Sequence, residues 1–231
     1  EISHYELIKD INWYTRRGGN NAKVGRTVLE SWTYLISVST PHLAEEWGRC
    51  ISLGNMVSAS QMKHIGSVSK EEVSILDYEF IMRGVLENSR KVKTIAERHL
   101  QGEADKLTLI VAPEWKHRLS REAISYLQNG GNIKQFIQEL KQMDFVDETN
   151  MGQILSYWNK KMLSQVFKWD DKARALILDN IDETEILSDR ASFIAEELGL
   201  SDVEIVKAEH YQGTDGRENS AMPLSPSIIF A

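Results

Sequence analysis

The hydrophobic pattern of this chain changes character once, at Gln101-Gly102, and that change limits what it can fold into. Before it, apolar residues recur at three- and four-residue steps, the spacing that gives a helix one apolar face. After it comes Leu107-Thr108-Leu109-Ile110-Val111-Ala112, a short, partly β-branched run closed by Pro113, which reads as a strand. This order predicts a mainly α protein: a helical bundle over residues 1–103, followed by a small α/β domain over residues 104–231.

In the first part, Ile2, Tyr5, Ile8 and Ile11 predict a helix that ends at the polar run Arg16-Arg17-Gly18-Gly19-Asn20-Asn21. Val24, Val28, Leu29, Trp32, Leu35 and Ile36 predict a second. Thr40 suits an N-cap and Pro41 the first helical position, so a third helix should run to about Trp47–Arg49. Ser69 and Glu72 form a capping-box pattern ahead of a long helix of about 25 to 30 residues. In the second part, helices are expected at 121–128 after Ser120, from Ile133 after Asn132, and from Met151 after Thr149. Ala175-Leu176-Ile177-Leu178 leans towards strand, although so short a run has no decisive period. Leu187, Ala191, Ile194 and Leu198 mark a helix stopped by Gly199. Strands are expected at Val203–Val206 and Ser227–Phe230, with a polar loop from Gly213 to Ser220 that contains an Asp215-Gly216 turn signal.

Several classes of function are disfavoured. No apolar run approaches the roughly 20 residues of a membrane span. The opening EISHYELIKD lacks the features of a signal peptide and reads as the interior of a longer polypeptide. Cys50, the single cysteine, permits no internal disulfide and suits a reducing, cytoplasmic setting. The histidines at 4, 42, 64, 99, 117 and 210 show no metal-ligand spacing, and there is no P-loop, GxGxxG, HExxH or GxSxG motif. No catalysis by this chain alone is expected.

The net charge of −7 opposes phosphate binding, but it is unevenly spread: residues 175–231 carry 3 Lys+Arg against 12 Asp+Glu, while residues 113–174 carry 10 against 8. Lys160, Lys161, Lys168, Lys172 and Arg174 form the densest basic run, and are the first candidates for phosphate contacts. Trp115 beside Lys116 and Arg118, and Trp169 beside Lys168 and Lys172, combine an indole with cations, a mix suited to phosphates and sugars. Arg16 and Arg17 stand before a glycine loop that an RNA backbone could approach. For each of these a solvated charged face is the plain alternative, and Trp13, Trp32, Trp47 and Trp158 read as core.

Two segments carry a resemblance. ESWTYLISVSTPHLAEEWGR, Glu30 to Arg49, resembles the helix pair in the anticodon-binding domain of class I aminoacyl-tRNA synthetases, where a Trp-bearing helix runs into a T-P-H helix start. AMPLSPSIIF, Ala221 to Phe230, resembles the MPL-x-P-x-I motif that closes the archaeal and eukaryotic type of leucyl-tRNA synthetase. The resemblance implies the C-terminal portion of such a synthetase, an anticodon-binding domain plus a C-terminal domain. The HIGH-type and KMSKS-type motifs are missing here, so ATP and magnesium are expected only at a catalytic domain outside this chain, and no cofactor within it. The implied partners are tRNA(Leu) and the catalytic portion of the same synthetase, with neither membrane nor DNA. In this family the C-terminal domain reaches the long variable arm, which points at Met222, Pro223, Leu224, Pro226 and Ile228. The family's tail is often preceded by a Lys/Arg-rich loop, and here Gly213 to Ser220 offers only Arg217. The alternative reading is a non-catalytic helical protein-interaction module.

Overall fold

In the computed structural model, residues 5–54, 57–59, 70–100, 102–148, 150–214 and 216–231 are described. Ile2, His4, His64, Ser69 of the capping box, Gln101, Thr149 and Asp215 fall outside that description. The chain divides into two compact units, residues 1–68 and 69–231.

The first unit is helical: α1 (Leu7–Arg16), α2 (Ala22–Ser37), α3 (Pro41–Cys50) and a 3-10 turn at Val57–Ala59. Asn21 caps α2, its side-chain oxygen accepting from the Lys23 and Val24 amides at 3.0 and 3.3 Å. Thr40 stands at the N-cap position of α3, yet its hydroxyl does not cap. It donates back to the Ile36 carbonyl at 3.2 Å, closing the end of α2 instead. Trp32 of α2 meets Trp47 of α3 edge-on, with centroids 5.4 Å apart, so the two indoles of the Glu30–Arg49 segment pack on each other.

The second unit begins with α4 (Lys70–Leu100), and continues through β1 (Lys106–Val111), α5 (Glu114–Gln128), α6 (Ile133–Leu140), α7 (Met151–Tyr157), a π turn at Trp158–Met162, α8 (Leu163–Val166), α9 (Asp171–Leu178), α10 (Glu183–Ser188), α11 (Ala191–Leu198), β2 (Asp202–Lys207), a 3-10 turn at Arg217–Ser220 and β3 (Ser227–Phe230). The protein is thus mainly helical with one small mixed sheet. Its strand order is β2-β1-β3, with β1 parallel to β2 and antiparallel to β3. Leu107, Leu109 and Ile110 of the central strand are all buried. α4 buries Ile81, Met82, Val85, Leu86 and Ser89, which lie on one helical face. It is tied to α11 by Arg90 to Glu197 at 2.5 Å and by Lys93 to the Leu198 carbonyl at 2.6 Å. The long helix therefore packs with the sheet unit, and the compact units divide at 68/69 where the sequence pattern suggests 103/104. The pattern registers a change of period, whereas the division follows which core a helix joins. Among the described residues no helix is long and apolar enough to cross a membrane.

Three local expectations change. Residues 175–178 are helical, because Asp170 caps α9 (its carboxylate accepts from the Ala173 amide at 2.7 Å) and Ala173, Leu176 and Ile177 are buried at helical spacing. α5 starts directly after Pro113 rather than after Ser120. Ser120 lies inside the helix, its hydroxyl bonded to the Lys116 carbonyl at 2.7 Å. The expected helix around 187–198 is two helices, α10 and α11, the second ended by Gly199 at φ 62°, a left-handed C-terminal stop. If Asp170 fixes α9, Asp170→Ala should lower stability by about 1 kcal/mol in urea unfolding followed by circular dichroism. An unchanged midpoint would show that burial alone holds this helix.

Candidate nucleic-acid interface

The first turn of α5 places Trp115 and Lys116 at the end of β1, and α7 with its π turn brings Tyr157, Lys160 and Lys161 alongside. The Arg217–Ser220 turn adds Asn219, and together they line a cleft of about 250 Å³. Trp115 and Tyr157 meet edge-on at 5.3 Å and 82°. Lys161 donates to the Asn219 carbonyl at 3.2 Å. Lys160 is exposed and, among the described residues, has no ion pair. Of the sequence candidates, the structure thus brings together Trp115, Lys116, Lys160 and Lys161.

Lys116 is not a phosphate ligand in this arrangement, because only 2% of it is exposed. Its ammonium donates to the carbonyls of Ala221 at 2.7 Å, Asn219 at 3.0 Å and Glu218 at 3.5 Å, which engages all three of its hydrogens. Burial, reinforced by repulsion from Lys161 and opposed by Glu218, lowers its pKa to about 8, so it is still mainly charged at pH 7. The ammonium also lies 4.9 Å from the Tyr157 ring centroid and 5.5 Å from that of Trp115.

The other basic candidates lie elsewhere or are paired. Arg118 forks onto Asp144 at 2.5 and 2.7 Å and covers the Phe145 ring. Lys172 pairs with Asp77 of α4, and Arg174 lies 3.6 Å from Asp171. Lys168 is exposed, but its neighbour Trp169 is core, 7% exposed. Arg16 lies over the Trp13 ring and, with Arg17, belongs to the first unit. Arg217 opens the 3-10 turn. A run that is dense in sequence is thus split, because helix geometry sends its members to different sides.

The tail is more enclosed than its sequence suggests. Met222 and Ser225 exchange backbone hydrogen bonds at 3.0 and 2.9 Å around Pro223 and Leu224, and both prolines, Pro223 and Pro226, are buried, as is Ile228. Leu224 takes a left-handed φ of 60°, which costs a leucine about 1–2 kcal/mol. The turn is held by the buried Glu183, whose carboxylate accepts the Leu224 amide at 2.7 Å. The amides of residues 222, 224 and 225 are therefore engaged within the protein.

Glu183 is 3% exposed and its second oxygen has no hydrogen-bond partner. Burial raises its pKa to about 7, with the Leu224 amide pulling the other way and Asp182 adding to the rise. His117 lies 3.8 Å away, but burial holds its imidazole below the ordinary value, so at pH 7 the two are not an ion pair. They border a second cleft, of about 300 Å³, where Glu114, Asp182, Glu183 and Glu209 outnumber Lys207. That charge repels phosphates and leaves the lysine-lined cleft as the RNA candidate. Among the described residues no group of three or more His, Cys, Asp or Glu is placed to hold a metal ion. Sequence reasoning missed Tyr157, Asn219 and Glu183. Glu183 follows the cap residue Asp182, in a first turn where an acidic residue is ordinary.

A carboxyl group whose folded pKa is raised stabilises the fold fully below its unfolded value and loses that contribution as pH rises through the folded value. From the ordinary 4.5 to about 7 this amounts to about 3 kcal/mol. Glu183→Gln keeps an oxygen for the Leu224 amide and removes the charge. It should flatten the decline in melting temperature between pH 5 and 8 and melt above the wild type at pH 8. A variant whose pH profile parallels the wild type would contradict this assignment.

No family model matches the chain. It is 29% identical over 229 residues to a leucine-tRNA ligase of Methanococcus maripaludis, covering 98% of this chain and 21% of that protein. It is 28% identical over 227 residues to that of Aeropyrum pernix, covering 97% and 22%, and 26% identical over 227 residues to that of Methanocaldococcus jannaschii, covering 97% and 21%. The chain spans about a fifth of the length of the curated relatives it matches. Nearly the whole length of the chain is thus similar to a part of these archaeal leucine-tRNA ligases.

Proposed function

We propose that this segment recognises tRNA for a leucine-tRNA ligase. It binds the body and long variable arm of tRNA(Leu), so that the acceptor end reaches a catalytic portion where leucine is attached with ATP and magnesium. In this reading its work is geometric: binding energy gained far from the reacting atoms is converted into orientation. The cytoplasm is its place of action, and no cofactor sits in the segment itself.

The observation that carries the reading is the grouping of Lys160, Lys161 and Trp115 beside the Arg217–Ser220 turn. Cations next to an aromatic ring suit phosphates beside unpaired bases. The overall charge of −7 means that attraction is confined to this patch, within about 10 Å at 0.1 M salt. Affinity should therefore be modest and salt-sensitive.

The test is the affinity of the chain for a tRNA(Leu) transcript across a salt series, beside the same transcript with its variable arm trimmed. Trimming should weaken binding, and Lys160→Ala should reduce the salt slope by about 1. Equal affinity for both transcripts would contradict variable-arm recognition. No binding to either at low salt would favour the protein-interaction module.

A further inference from the structure

We infer that the cleft between α5, α7 and the Arg217–Ser220 turn is a pocket for one unstacked nucleotide of RNA, its base against Trp115 and its phosphate at Lys160. The inference takes RNA as the ligand from the reading above and goes further, to a single receptive site. The cleft, about 250 Å³, combines what a nucleotide needs. Trp115 supplies an aromatic surface whose orientation is set by Tyr157, which meets it near the perpendicular instead of stacking in parallel. Gln153, Ser156 and Asn219 are exposed on its walls and offer donors and acceptors for a base edge. Lys160 and Lys161 supply positive charge at the rim.

Tyr157 itself is 7% exposed and its hydroxyl is buried, so its part in the cleft is to support Trp115. The lysines come from a π turn, a rare widening of the helix that recurs at functional sites. Two other clefts among the described residues lack this combination: one is rich in carboxylates, and another, beside Ile95 and Phe230, is largely apolar.

The pocket is tested by fluorescence anisotropy of the 231-residue chain with a labelled single-stranded hexaribonucleotide and with the same sequence as a duplex. Trp115→Ala removes the stacking surface. Ser156→Phe fills the cleft from an exposed position and leaves the core intact, which circular dichroism checks. The single strand should bind more tightly than the duplex, and each variant should weaken it about tenfold. Variants that bind as the wild type, or a duplex that binds equally well, would overturn the pocket. If those variants also leave variable-arm-dependent binding of tRNA(Leu) unchanged, the pocket fails while the recognition reading stands. Variant-sensitive binding of the hexamer without any binding of tRNA(Leu) would support the pocket and count against the recognition reading.

Discussion

Lys116 holds a positive charge out of water, and much of the C-terminal architecture follows from how that charge is satisfied. An ammonium moved into the interior costs several kcal/mol unless its donors are met. Here the carbonyls of Glu218, Asn219 and Ala221, more than a hundred residues away in sequence, meet them. The Arg217–Ser220 turn is thereby fixed against the first turn of α5. That places Met222–Ser225 where Glu183 can take the Leu224 amide, and leads into β3 alongside β1. The same anchoring sets Asn219 beside Lys161, which completes the candidate RNA cleft.

Basic residues that look interchangeable in sequence divide into distinct physical roles. Lys116 is buried and structural, Arg118 and Lys172 are paired with carboxylates, and Lys160 remains exposed at the cleft. A protein that is acidic overall can still present a local site for phosphates, provided that its carboxylates gather elsewhere. The separation of the Glu114–Asp182–Glu183–Glu209 cleft from the Lys160–Lys161 cleft shows that arrangement. In the proposed function, recognition depends on contacts made at short range, with little help from long-range steering.

Elements with strong local signals were legible in the sequence. Asn132 capping α6, Gly199 ending α11 and the β-branched Ser227–Phe230 strand all lie where local chemistry places them. Pro113 reads as the close of a strand, yet a proline in that place can also open a helix, as it does for α5. α9 was misjudged because four consecutive apolar residues outweighed the Asp170 cap in front of them. The resemblance at Glu30–Arg49 and Ala221–Phe230 pointed to the proteins that align with the chain, and half of the cleft, Trp115 with the lysine pair, was visible as an indole and cations. The role of Lys116 was not, since burial by a segment distant in sequence leaves no periodic or local trace. Tyr157 was hidden for the same reason, as was Glu183, which comes from another helix to take the Leu224 amide.

Hydrogen exchange of Lys116→Met tests the central claim, that one buried ammonium holds the tail in place. The account predicts that the amides of Met222, Leu224 and Ser225 lose protection while those of β1 and the interior of α5 keep theirs. Unchanged protection at 222, 224 and 225 would show that the tail is held without Lys116 and would contradict the account.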